Sequence, residues 1–208
     1  MSQTQLTREV AKRVFASEFN DSTYAFKESD DERAPNYALL PTGDRANRVF
    51  FVGTLTETED VGDESEYWRG RVVDPTGTFF VYAGQYQPEA AAALRDAEPP
   101  AYVAIVGKPR TYETDDGTVN VSVRPESIAV VDEATRDRWV VETAERTIDR
   151  VEAFQDWEAE QEAPESGSTV PTNEYAQMAR EQYDSPVENY RRDVIQALES
   201  LEEVEASA

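Results

Sequence analysis

A chain of 208 residues with 43 Asp or Glu against 20 Lys or Arg carries a formal charge of -23, and it contains neither histidine nor cysteine. That length holds one well-packed core with appendages or two small domains, and the missing imidazoles and thiols exclude disulfides, cysteine nucleophiles, histidine bases and the usual zinc ligand sets. Hydrophobic residues at 39% fall below the ordinary ~45–50%, whereas 10% aromatics argue for a packed core, so a folded domain with polar helix or linker is expected.

In chain order, Leu6, Val10, Val14 and Phe15 recur at the spacing of one short amphipathic helix over residues 6–19. Residues 21–41 are polar, show no period and are expected as loop. Between Arg48 and Val131 the period changes to two, in five β-rich runs. The first, 48–56, is interrupted by Gly53, which predicts a bulge or bend. The second and third, 67–73 and 78–86, flank Asp74-Pro75-Thr76-Gly77, with proline and glycine where a type I turn wants them. Residues 88–98 open on proline and continue in helix formers until Pro99-Pro100. The fourth and fifth runs, 101–112 and 118–125, are joined through Asp116-Gly117 as a second hairpin. Three strands, a helix and two strands is the order of the oligonucleotide/oligosaccharide-binding (OB) barrel, a five-stranded Greek key. The expected fold class is therefore mainly β with flanking α, with Val72, Val81, Val103, Ile105, Val121 and Val123 inside.

Beyond the barrel, Asp132 can cap a helix in which Val141, Ala144, Ile148, Val151 and Phe154 form an apolar stripe. Residues 161–172 read as linker. Ser185-Pro186-Val187-Glu188 starts a last helix with Val187, Tyr190, Val194, Leu198, Leu201 and Val204 at helical spacing. The expected organisation is an N-terminal helix and loop (1–45), the barrel (46–131), an amphipathic helix on barrel or partner (132–160), the linker, and a C-terminal helical region (173–208). No 18-residue apolar run or signal-peptide pattern occurs, which predicts a soluble intracellular protein without membrane contact.

Strand alternation sorts the candidate site. With Val72 inward, Tyr67, Arg69, Arg71 and Val73 face outward; with Phe79 and Val81 inward, Phe80 and Tyr82 face outward. Likewise Val119, Val121 and Val123 are expected in the core and Asn120, Ser122 and Arg124 outside. Residues 67–86 hold Arg69 and Arg71 against one acid, and residues 99–112 hold Lys108 and Arg110 against none, so both stretches are locally positive. Rings interleaved with cations are the pattern of a single-strand platform, where a charged groove follows phosphates and rings stack bases. The candidate nucleic-acid contacts are Tyr67, Arg69, Arg71, Phe80, Tyr82, Lys108, Arg110, Tyr112 and Arg124; the alternative is that such aromatics fill a small barrel. Acid clusters at 57–60, 63–64 and 115–116 are expected as solvated surface or turn. Walker, dinucleotide-fingerprint and nucleophile-elbow motifs are unmatched, so neither catalysis, cofactor nor metal is expected.

The acidity is spread along the whole chain, and of 20 basic residues only Lys12, Lys27 and Lys108 are lysines. This pattern resembles proteins of salt-accumulating haloarchaea, where a Debye length of about 3 Å at molar salt quenches repulsion between surface carboxylates. PTGDRANRVFFVGTLTETEDVGD, YWRGRVVDPTGTFFVYAGQYQPEAAAAL, PPAYVAIVGKPRTYETDDG, VSVRPESI and RDRWVVETA, over residues 35–160, also resemble the archaeal replication protein A-associated proteins. That resemblance implies an OB barrel that accompanies a larger, single-strand-binding replication protein A subunit in replication and repair, in the cytoplasm at the nucleoid. Three roles stay open: direct binding of single-stranded DNA, pure assembly through an interface of Val141, Ile148, Val151 and Phe154, or an enzyme, which would need a metal-binding acid constellation.

Overall fold

The computed structural model describes residues 9–162 and 173–206. Its centre is a barrel of β5 (Val49–Asp60), β6 (Trp68–Asp74), β7 (Gly77–Ala83), β8 (Ala101–Glu113) and β9 (Val119–Val130). Sheet order β5-β6-β7-β9-β8 closes because β5 also pairs with β8, and β7 runs parallel to β9. With α2 (Pro88–Asp96) between β7 and β8, this is the OB topology.

Closure depends on β5 serving two partners. Its first half, Val49 to Leu55, pairs with β8, and Thr54 to Asp60 pair with β6, with a register shift between Leu55 and Glu57. The bulge therefore lies two residues beyond Gly53. Gly53 acts instead through its missing side chain. A Cβ there would stand 2.6 Å from the Val73 carbonyl oxygen, so only glycine lets β6 approach as the strand bends. Val72, Phe79, Val81, Val103, Ile105, Val121 and Val123 fill the interior, and Leu94 of α2 joins them. Val119, expected in the core, is 38% exposed, because it sits opposite Glu113 at the hairpin tip, beyond the barrel wall.

The N-terminal segment departs from the expected helix. Lys12 and Arg13 form β1 (Lys12–Arg13), parallel to the start of β5, and α1 (Ala16–Asp21) covers only the last part of 6–19; Leu6 lies outside the described residues. Tertiary contacts override the helical spacing: Val10 is exposed, while Val14, Phe15 and Phe19 enter the core, Phe15 against Trp139 and Phe19 against Phe79. The Asp74 carboxylate fixes the helix start by accepting from the Ala16 amide at 2.8 Å. The same carboxylate accepts from the Thr76 and Gly77 amides and so forms the β6–β7 turn. The expected loop at 21–41 holds β2 (Ala25–Lys27) and β3 (Asn36–Leu40), which with β4 (Asp44–Ala46) make a second, three-stranded sheet.

Asp132 accepts from the Thr135 amide at 2.8 Å and starts α3 (Glu133–Glu162). After residues outside the described set, which include most of the expected linker, come α4 (Glu174–Gln182) and α5 (Glu188–Ala206). Trp139, Val140 and Ala144 of α3 join Val194 and Ala197 of α5 on the barrel core. Leu39, Val151, Phe154, Trp157, Ala176, Val187 and Tyr190 form a second cluster. The buried stripe thus runs from Val187, just before α5, through Tyr190, Val194 and Ala197, and Leu198 is 37% exposed. Glu188, the first residue of α5, accepts from Gln155 of α3 and pairs with Arg191 in its own first turn.

Candidate nucleic-acid interface

The outward residues of β6, β7, β9 and β8 form a lattice set by register. Arg69 stands beside Tyr82 and Arg71 beside Phe80 across β6–β7; Lys108 stands beside Arg124, Arg110 beside Ser122 and Tyr112 beside Asn120 across β8–β9. Paired residues share a face, so the two hairpins present rings and cations toward the same solvent. Tyr67, Tyr82, Arg110, Tyr112, Ser122 and Arg124 line one cleft of about 470 Å³. The rings of Tyr67 and Tyr82 stack at 5.7 Å and 21°, and Tyr67 and Tyr112 are 43% and 47% exposed. Burial, then the nearby Tyr112, push the Tyr82 phenol above its ordinary value, so its hydroxyl remains a donor. Ser122 points to this side as alternation requires, but is buried as the cleft floor.

The cations divide into two groups. Arg69, expected as a phosphate contact, is ion-paired to Glu59 at 2.5 Å and lies 3.7 Å from Glu57. A charge count along β6 cannot register this, because the acids arrive from β5, where Glu59 pairs with Arg69 and Glu57 with Arg71. Arg71 donates to Thr56 Oγ1 at 3.1 Å, and neither it nor Phe80 reaches the tyrosine cleft. Arg110, Arg124 and Lys108 behave differently: none makes an ion pair with another described residue. Burial lowers the Arg110 guanidinium from its ordinary value, and Arg124 beside it lowers it further. Lys108 lies outside the tyrosine cleft, next to Arg48 and Arg124.

The acid clusters are engaged in turns. Asp60 accepts from the Gly62 and Tyr67 amides, and Asp116 from the Thr118 amide and the Thr114 hydroxyl, which holds both carboxyls below their ordinary value. Among the described residues no three acids gather as a metal site.

The expected partner stripe needs correction. Val151 and Phe154 are 0% and 5% exposed inside this chain's own second cluster, so they are not available as an interface, and Ile148 is partly buried against the barrel cluster. Val141 is 43% exposed and lies off the stripe, which runs through Val140. Trp139 sets that phase: its ring meets Phe15 and its indole N–H donates to the Phe50 carbonyl. Sequence reasoning also passes over Gln87, on the cleft rim, and Tyr86, 83% exposed just past β7, where strand alternation no longer applies.

No protein-family model matches the chain, and no curated protein does. Solved structures similar to it include the second single-stranded DNA-binding protein of Mycobacterium smegmatis, 17% identical with a TM-score of 0.35, covering 40% of this chain and 84% of that one. The mitochondrial single-stranded DNA-binding protein Rim1 of S. cerevisiae is 19% identical with a TM-score of 0.32, covering 41% and 92%. Asparaginyl-tRNA synthetase of Pyrococcus horikoshii is 14% identical with a TM-score of 0.40, covering 59% of this chain and 24% of that one. The barrel itself rests on strand order and pairing. Among the described residues no helix is long and apolar enough to cross a membrane.

Proposed function

We propose that this chain binds single-stranded DNA on the open face of its barrel, with bases stacked on Tyr67, Tyr82 and Tyr112 and phosphates held by Arg110 and Arg124. The observation that carries the reading is the cleft where these rings meet two guanidiniums without carboxylate partners among the described residues, in a chain whose acids outnumber its bases two to one. A similar surface of rings and cations serves sequence-tolerant single-strand binding in OB folds. The reading extends to a subunit that acts by binding and not by catalysis, that joins a larger replication protein A subunit, and that works in molar salt. The sequence runs over residues 35–160 that resemble replication protein A-associated proteins, and the spread acidity, support that extension. Burial of Val151 and Phe154 within the chain takes two of the four stripe residues from an assembly surface, which supports direct contact.

Fluorescence anisotropy with a labelled oligothymidylate in about 2 M KCl, where screening acts within a few Å, tests the cleft. Phosphate contacts weaken steeply with salt, so stacking dominates there. Tyr82→Ala is expected to weaken binding about 5-fold to 150-fold, the range of one lost stack, whereas Tyr82→Phe keeps the ring and the affinity. Arg69→Ala changes affinity less than Tyr82→Ala, because Glu59 and Glu57 already hold Arg69. Wild-type affinity in Tyr82→Ala would remove the cleft as the site.

A further inference from the structure

A second cleft, of about 990 Å³, begins where the tyrosine cleft ends: Gln87 and Arg124 line both. Its wall carries Arg48, Lys108 and Arg124, and Tyr86 stands at its margin with 83% of its surface in water. We propose that the bound strand runs on past Arg124 into this second cleft, where Lys108 and Arg124 hold its sugar–phosphate backbone and Tyr86 stacks a further base. The inference rests on the tyrosine-cleft reading and lengthens it.

Three features carry it. The first is continuity, since one strand can pass from ring to ring without leaving the groove only if the grooves share a wall. The second is charge. Register sets Lys108 directly beside Arg124, and Arg110 lies two residues further along β8 on the same face. Burial, then Arg48, hold the Lys108 ammonium below its ordinary value, with Arg124 and Arg110 adding to the repulsion against the pull of Glu126. Crowding cations costs folding free energy, and this chain has 43 acids with which to neutralise them. The described acids on this wall are held by groups other than Lys108, Arg110 and Arg124. Glu126 accepts from Arg48 Nε and Nη2 at 2.6 and 3.0 Å, and Glu9 accepts from the Tyr37 hydroxyl at 2.5 Å. Glu89 stands in the first turn of α2, where the helix N-terminus favours a carboxylate. Among the described residues no carboxylate forms an ion pair with Lys108, Arg110 or Arg124, and an anion entering from outside can. The third feature is the opposite margin of the face, where Glu57 and Glu59 of β5 line the edge beside Arg69. A polyanion leaving the tyrosines is repelled on that side and attracted on the other.

The phosphodiester backbone of the same strand, and not a separate phosphate, predicts dependence on strand length. With the full chain, oligothymidylates of about 4 and about 16 nucleotides bracket the site sizes of one OB fold. Wild type is expected to bind the longer strand more tightly, and Tyr86→Ala to remove about tenfold from the longer strand, as one lost stack does, while the shorter keeps its affinity. In a KCl series, Lys108→Met flattens the slope of log affinity against log salt for the longer strand by about 0.7, the value of one phosphate contact on a single strand. Its urea midpoint without DNA stays level or rises, since a repelled charge has gone. A Lys108 needed only for folding would lower that midpoint. The proposal is overturned if Tyr86→Ala and Lys108→Met leave the gain with length intact. A wild type that binds the short strand with no gain from length overturns this inference alone, and one that binds neither strand overturns the tyrosine cleft with it.

Discussion

Replacing Arg150 by methionine would strip its partner from a carboxylate with no access to water. Glu18 is 0% exposed in α1, and the guanidinium of Arg150 in α3 reaches it with Nε at 3.2 Å and Nη2 at 2.5 Å. The same guanidinium contacts Thr42 and Thr147, and Thr42 itself donates to Glu18 at 2.5 Å. This network ties the N-terminal helix, the turn before β4 and the long helix together. In Arg150→Met only the Thr42 hydroxyl is left to Glu18 among the described residues, and removing one partner of a buried pair costs about 3–5 kcal/mol. Because the pair is largely buried, with the Arg150 and Glu18 side chains 11% and 1% exposed, most of that loss should persist in about 2 M KCl, where surface pairs are screened. Arg146–Asp149 is the internal control: at 67% and 64% exposure, Arg146→Met should cost no more than about 1 kcal/mol. The doubly substituted Glu18→Met/Arg150→Met, which leaves no orphaned charge, should recover most of the loss. Urea unfolding at constant KCl, followed by tryptophan fluorescence from the buried Trp139, gives the three differences. The reasoning fails if Arg150→Met costs no more than Arg146→Met, or if the double variant is no more stable than the single one.

Two further outcomes follow from the packing. Burial pushes the Asp74 carboxyl up from 3.8 to about 6 against the hydrogen bonds it accepts. A raised value means that the folded chain holds this proton more tightly than the unfolded one, so wild type should gain stability over Asp74→Asn as pH falls from about 6 to about 4. The gain should reach about 3 kcal/mol at most, and urea midpoints for the two proteins that stay parallel across that window would contradict it. For the phase of α3, Val141→Asp should leave the urea midpoint nearly unchanged and Val140→Asp should prevent folding, because the first side chain meets solvent and the second would bury an unpaired charge. Equal effects from the two would return Val141 to the stripe.

Much of the barrel is legible in the sequence, because its signals are local. Period-two runs, the Asp74–Gly77 turn, Pro88 opening α2 and Asp132 capping α3 all act within a few residues, and alternation alone puts Tyr82 and Arg124 on the outer face. What alternation cannot decide is which neighbours arrive across the sheet. Glu57 and Glu59 cancel Arg69 only because β5 shifts register within its pairing with β6, between Leu55 and Glu57. Tyr67 and Tyr112 line one cleft only because β7 pairs in parallel with β9 and carries the two hairpins together. The strands at 25–27 and 36–40 leave no mark in the sequence because each is short and is held by Leu39 under α3 and α4, not by its own pattern. Spacing alone counts Val141 in the α3 stripe, one residue out of phase, for a related reason. Several apolar faces of a long helix satisfy the spacing equally well, and the choice among them is made by Trp139 docking on Phe15 and Phe50, a contact between segments far apart in the chain.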